Sequence, residues 1–314
     1  MNIVNVVVTC TKDKRYSVAE ECQLRNVAGD SLPVRLKEWQ ARLKRNWRNR
    51  VVVEELYAGD HWANVRSFSS SFFHIDIWVC SAGFGLVRFD DSITPYAATF
   101  SGNHPDSVSA GTEGKQRAMA SKQWWESTSR WKAHFKERPR SLAALMATYP
   151  TRSLLVVASE TYLRAISDDL REGVTHLTDP DQLSIVCSGA KSLEDLDDNL
   201  VPCDARLQPA IGGARRSLNT RLANKILREA RVPPRASTLA VRYRKLLSQQ
   251  PELEKYDRKP LSDDQVRQFI RNELGKDGSL RHTPLLRMLR DDDKACEQKR
   301  FSSLFKEVME ELNG

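Results

Sequence analysis

The sequence predicts an α/β protein with a mostly parallel central sheet flanked by helices, followed by a basic helical module. Three observations carry this expectation. Four short apolar, β-branched runs at 5–8, 73–80, 153–158 and 183–187 stop at small or polar residues, with segments of helical period between them. Strands joined by crossover helices have that pattern. From about Gly212 the strand-like runs vanish and helical periodicity takes over. Finally, 314 residues, 40% hydrophobic and 29% charged, are enough to enclose a proper core. Two domains are expected: an α/β domain over 1–211 and a basic helical domain over 212–314.

The composition excludes several classes. No apolar run approaches the roughly 20 residues of a membrane helix, so no membrane partner is expected. The amino terminus lacks a charged-then-apolar-then-small pattern, which predicts a cytoplasmic location. Six cysteines, at 10, 22, 80, 187, 203 and 296, form no tight pairs. They read as reduced thiols, not as a disulfide framework.

The first strand, Asn5-Val6-Val7-Val8-Thr9, ends at Cys10 and runs into Lys12, Lys14, Arg15 and Tyr16. Groups just past the carboxyl end of a strand in an open α/β sheet face the ligand crevice. Cations beside a thiol favour its thiolate. The alternative is a small buried cysteine closing a core strand. Leu36, Trp39, Leu43 and Trp47 then mark an amphipathic helix over 32–50, whose other face is rich in arginine. Val51 to Tyr57 reads as a strand, and His61 to Phe68 as a helix. Phe73 to Cys80 is a strong strand ending in Ser81-Ala82-Gly83-Phe84-Gly85, where glycines permit a tight turn or close approach to a ligand.

Residues 86–116 read as a long turn-rich loop. In 112–135, Trp124, Trp125 and Trp131 alternate with bases, which suits one buried helix face or stacking on nucleobases. Two further strands end at Ala158 and Cys187. Cys10, Cys80 and Cys187 thus each close a strand, and three thiols on one sheet edge are a conceivable zinc site, although no closely spaced pair supports it.

Net charge is +8. It concentrates between Arg215 and Lys245, where Arg215, Arg216, Arg221, Lys225 and Arg228 belong to ten bases set against the single acid Glu229. So few acids in such a stretch favour a polyanionic partner over a merely soluble surface. Ser262, with Asp263 and Asp264 behind it, opens a further helix.

Three fragments occur in order: Cys10 with Lys14; Leu56-Tyr57-Ala58-Gly59-Asp60-His61-Trp62; and Ser81 to Arg88 followed by Asp91, Ile93, Pro95 and Tyr96. Together they resemble the YaaA-like superfamily, over roughly the first 100 residues. Phe84 stands where that superfamily usually has tyrosine. Cys10-x-x-x-Lys14-x-Tyr16 resembles part of the archaeosine synthase signature, an enzyme acting on the nitrile of 7-cyano-7-deazaguanine in transfer RNA. Ala19 and Cys22 replace the serine and histidine that complete it. The whole layout, including Cys296-Glu297-Gln298-Lys299-Arg300-Phe301, is most similar to the DpdC family of the bacterial 7-deazaguanine DNA-modification system.

That resemblance implies an enzyme that hydrates the nitrile of 7-cyano-7-deazaguanine in DNA to the 7-amido form. Its partners would be DNA carrying that base and other proteins of the same system. No cofactor would be required. Cys10 would attack the nitrile carbon, Lys14 or Tyr16 would protonate the nitrogen, and Asp91 or Asp60 would position or deprotonate water. Ser81 and the turn through Gly83 and Gly85 would hold the ring or its anion, with Tyr57 and Tyr96 stacking on the base. Arg215, Arg216, Arg221, Lys225 and Arg228 would contact phosphates. The rival readings are a non-enzymatic YaaA-like DNA-binding protein and a glycosylase or base-exchange enzyme using Asp60 or Asp91.

Overall fold

The computed structural model describes residues 2–29, 31–131, 135, 138–190, 193–253 and 257–313. In chain order the elements are β1 (Ile3–Thr9), α1 (Leu32–Arg45), β2 (Val51–Val52), α2 (Val53–Leu56), α3 (Gly59–Arg66), β3 (His74–Ser81), β4 (Gly85–Arg88), β5 (Ser92–Ile93), α4 (Gly114–Arg130), α5 (Leu142–Thr148), β6 (Leu154–Val157), α6 (Glu160–Val174), β7 (Leu183–Val186), β8 (Leu200–Val201), α7 (Gln208–Ile211), α8 (Leu218–Glu229) and α9 (Ala236–Ser248). After these come β9 (Lys259–Pro260), α10 (Asp263–Lys276), α11 (His282–Asp291), β10 (Lys294–Ala295) and α12 (Gln298–Asn313).

Among the described residues the main sheet has six strands in the order β4-β3-β1-β6-β7-β8. All are parallel except β4, which folds back antiparallel on β3. The expected α/β class is the observed one. Every residue of β6 and β7 is buried, as strands covered on both faces require. The strands are continuous apolar runs because neither side meets water.

The order places β1 between β3 and β6. The chain leaves β1 toward one side to make β3, then returns past it to make β6. The connections therefore diverge at the carboxyl end of β1, the topological switch point where open α/β sheets form their ligand crevice. Cys10 is the first residue beyond that end.

Several elements differ from the sequence reading. Only Val51–Val52 of the expected 51–57 strand is extended, pairing with β5. The chain then turns into α2 because the N–H groups of Val53 and Glu54 are taken by the carbonyls of Asp91 and Phe89. Within the expected loop 86–116, Gly85–Arg88 is the antiparallel strand β4, with Ser81 opposite Gly85. The tryptophans of α4 belong to the core: Trp124 and Trp125 are buried, and their indole N–H groups bond to the Ala82 carbonyl and to Asp169.

The domain boundary also moves. The chain divides into units 1–251 and 252–314, so α8 and α9 belong to the sheet unit and not to a module starting at 212. Leu218, Leu222, Ile226, Leu239 and Tyr243 explain this, because their apolar stripes join the core of the sheet. The second unit has its own core of Val266, Ile270, Leu285, Leu289, Phe301 and Val308. A capping box closes the start of α10, with Ser262 accepting from the Gln265 N–H. Residues 252–314 carry thirteen Lys and Arg against fourteen Asp and Glu. The positive charge thus resides in the α/β unit, not in the C-terminal one. Among the described residues no helix is long and apolar enough to cross a membrane.

Candidate active site at the carboxyl end of β1

Cys10 follows β1 with its N–H bonded to the Cys80 carbonyl at 3.1 Å, so the neighbouring strand fixes its direction. The thiol is 6% exposed. It belongs to the buried core of the sheet, yet two polar groups reach its sulfur. The phenol oxygen of Tyr162, from the first turn of α6, lies 3.0 Å from Sγ. The backbone N–H of Ala82 points at the same sulfur at 3.5 Å. Three strands of the sheet thus converge on one sulfur: β1 carries it, the end of β3 supplies an N–H, and the helix after β6 supplies a hydroxyl.

A chain of hydroxyls lies beside it. Tyr57 and Tyr96 share a hydrogen bond of 2.9 Å, and Tyr96 bonds to Ser81 Oγ at 2.7 Å. Ser81 Oγ also accepts the N–H groups of Gly83 at 3.3 Å and Phe84 at 3.1 Å, which closes the turn into β4. Gly83 must be glycine, since a Cβ there would sit 2.6 Å from the Tyr96 ring. Gly85, at φ +74°, has its missing Cβ against the Thr128 backbone. Arg140, buried, donates to the carbonyls of Phe84 and Leu86 and clamps the far side of the turn. With so little water to solvate its charge, burial lowers that guanidinium to about 10.

Lys14 completes the cluster. Its ammonium lies 5.0 Å from the centroid of the Tyr96 ring and 5.4 Å from that of Tyr57. It donates to the Thr11 carbonyl at 2.9 Å and to the Lys12 carbonyl at 3.3 Å. A backbone bridge between Lys14 and Tyr57 holds the loop in place. Burial lowers the Lys14 pKa, opposed by the nearby Cys10 sulfur. Burial, then the charge that Cys10 can carry, pushes the phenols of Tyr57, Tyr96 and Tyr162 well above their usual range. Three phenols therefore stay protonated beside the sulfur, while the lysine gives up its proton more easily than usual.

The tertiary structure thus gathers Cys10, Lys14, Tyr57, Ser81, Gly83, Gly85 and Tyr96. It does not bring in three other expected residues. Tyr16 is 43% exposed, with its hydroxyl 3.5 Å from Glu55. Asp60, at the start of α3, is bound to Arg221 at 2.7 Å, and the Ser217 hydroxyl and Arg221 lower its pKa. Asp91 lies in the turn between β4 and β5, where Oδ2 accepts the Arg88 N–H at 2.7 Å and Oδ1 pairs with Arg138. Because Arg88 sits opposite Trp78, the strand rise puts this turn roughly 10 Å or more from the Ser81 end. The fold uses Asp91 to shape the sheet edge, where burial raises its pKa against the pull of the Arg88 N–H and Arg138.

Two groups were missed by sequence reasoning. Tyr162 gave no local signal beyond its place in the first turn of a helix that follows a neighbouring parallel strand. His61, inside the tyrosine-x-glycine fragment, reaches the Thr9 carbonyl with Nε2 at 3.2 Å, and burial lowers its pKa. The other cysteines are buried as inert thiols: burial raises Cys22 to about 11 and Cys187 and Cys203 to about 12, and pushes Cys80 well up. Among the described residues no group of three His, Cys, Asp or Glu is placed to hold a metal.

The expected phosphate ligands divide. Arg215 and Arg216 are exposed on the turn before α8. Arg221, Lys225 and Arg228, on one face of α8, line a cavity of about 530 Å3 with Asn64, Ala210, Ile211, Asn224 and Glu229. No family model, no curated protein and no solved structure matches this chain.

Proposed function

We propose that this protein hydrates the nitrile of 7-cyano-7-deazaguanine in DNA, through Cys10, to the 7-amido base. The observation that carries the reading is a sulfur at the switch point of the sheet facing a phenol hydroxyl 3.0 Å away. A thiol suits an electrophilic nitrile carbon, and a protonated phenol suits the nitrogen that becomes basic as sulfur adds. The likeness of its sequence fragments to the DpdC family supports the choice of substrate.

In this reading Lys14, as the amine, takes the Cys10 proton. Sulfur bonds to the nitrile carbon while Tyr162 protonates the nitrogen, giving a thioimidate. The Tyr162 phenolate then draws a proton from water as its oxygen adds to that carbon, and the Lys14 ammonium gives the nitrogen its second proton. The C–S bond breaks, the proton of the new hydroxyl returns to Cys10, and the nitrogen leaves the sequence as the NH2 of a carboxamide. One water is consumed per nitrile, with no change of oxidation state. The N–H of Ala82 and the turn held by Ser81 stabilise charge near the sulfur. The sulfur is covered, so this reading requires the wall beside it to open before a flipped base can enter.

Cys10→Ala and Cys10→Ser, incubated with an oligonucleotide containing the cyano base, are expected to leave it unconverted when nucleosides are read by mass spectrometry. Full conversion by both variants sinks the thioimidate route. The covered sulfur favours a second reading, a non-enzymatic DNA-binding protein in which the phenol cluster is structural. It requires the wild-type protein to leave the base unchanged and to bind DNA with and without the cyano group equally. The base-release reading loses support, because Asp60 and Asp91 are both engaged by arginines.

A further inference from the structure

α8 presents Arg221, Lys225 and Arg228 at helical spacing, so the three cations share one wall of the 530 Å3 cavity. Their commitments differ. Arg221 is tied to Asp60, and Lys225 to Glu229, which also takes Arg242. Among the described residues Arg228 faces the cavity with no carboxylate partner. Two buried polar atoms on this wall, Arg221 Nε and Asn224 Oδ1, have no hydrogen-bond partner, so the protein alone does not satisfy it. The cavity also has a defined position. Asp60, held by Arg221, and His61, held by the Thr9 carbonyl, are successive residues of α3. One short helix therefore connects this basic wall to the residue before Cys10.

We propose that this cavity binds a phosphodiester of the DNA strand that carries the target base, with Arg228 and Lys225 as phosphate ligands and Arg221 as the fixed charge behind them. A phosphate brings the anion that Arg228 lacks. It also competes with Glu229 for Lys225, in a cleft large enough for one nucleotide unit. The position beside a target base rests on the function proposed above, whereas capture of the strand does not.

The test uses the full-length protein and a fluorescein-labelled single-stranded oligonucleotide without cyano bases, with anisotropy followed over a series of salt concentrations. Lys225→Gln with Arg228→Ala is expected to weaken binding about tenfold or more. The slope of log affinity against log salt should also become shallower by about 1.4, at about 0.7 per lost contact to a single strand. Arg244→Ala with Lys245→Ala removes two exposed charges of the same stretch outside the cavity, and should weaken binding less than about twofold. Equal losses in the two double variants would reduce the site to general positive charge and overturn the proposal. So would unchanged binding in the cavity variant. Competition by deoxyguanosine monophosphate as effective, per nucleotide, as unlabelled strand would replace the strand by a free nucleotide and likewise overturn it. The probe has no nitrile, so failure here is distinct from failure of the hydration reading.

Discussion

The sulfur of Cys10 and the phenol oxygen of Tyr162 lie 3.0 Å apart, although 152 residues separate them in the chain. The contact exists because β1 and β6 are parallel neighbours, so the groups that follow each strand emerge at the same edge. Tyr162→Phe removes only the hydroxyl and keeps the edge-on packing against Phe100, whose centroid is 5.1 Å away. Nitrile turnover should fall about 10²-fold, the low end for a general acid. Unfolding free energy, from urea titration, should change by only about 1 kcal/mol. Unchanged turnover would remove Tyr162 from the mechanism.

Lys14 makes stability depend on pH with a definite sign. Burial lowers its pKa below the usual 10.5, so the folded chain binds fewer protons here than the unfolded chain. Stability then rises with pH between the folded value and 10.5. Lys14→Met deletes this dependence. Denaturant titrations of the two proteins should therefore show wild type gaining on the variant as pH rises toward 10.5. A difference independent of pH would mean that the ammonium is solvated.

Ser81 and Gly83 form one device, a hydroxyl that closes the turn and a bare Cα against the Tyr96 ring. Ser81→Ala leaves the Gly83 and Phe84 N–H groups and the Tyr96 hydroxyl short of a partner. It should cost about 1–3 kcal/mol in thermal or chemical denaturation. Gly83→Ala drives a methyl into the Tyr96 ring and should cost about 1–3 kcal/mol as an overpacked site. It should also lower turnover, since the ring cannot move without breaking the bond from Tyr96 to Tyr57.

Asp91→Asn separates a structural carboxylate from a catalytic one. The carboxylate holds the Arg88 N–H and Arg138 at the edge of the sheet. Burial outweighs these partners and raises its pKa, so loss of the charge should cost no more than about 1 kcal/mol of stability, while turnover per folded molecule stays within about twofold. A drop of about 10²-fold at full folding would return Asp91 to the chemistry.

Which properties were legible in the chain follows from the range of the forces involved. The runs that became β1, β3, β6 and β7 declared themselves because strands buried on both faces must be apolar throughout. The glycine turn was legible because only glycine tolerates the backbone at Gly85 and the ring beside Gly83. The basic stretch was legible as charge, but its place was not. Its apolar stripe matched a separate helical module as well as it matched the sheet. Only packing of Leu222 and Ile226 into the sheet core put α8 in the first unit, and left residues 252–314 close to neutral.

The sequence by itself determined the α/β class, the thiol at the end of the first strand and the residues of the turn that faces it, all consequences of local pattern and chemistry. Strand order was decided only in three dimensions, because pairing depends on what a strand meets, not on what it contains. With β1 between β3 and β6, a phenol from α6 reached the sulfur and Lys14 came to lie over two phenol rings. Asp91, three residues past the Trp78–Arg88 pair, is held in the turn after β4 by the Arg88 N–H and Arg138.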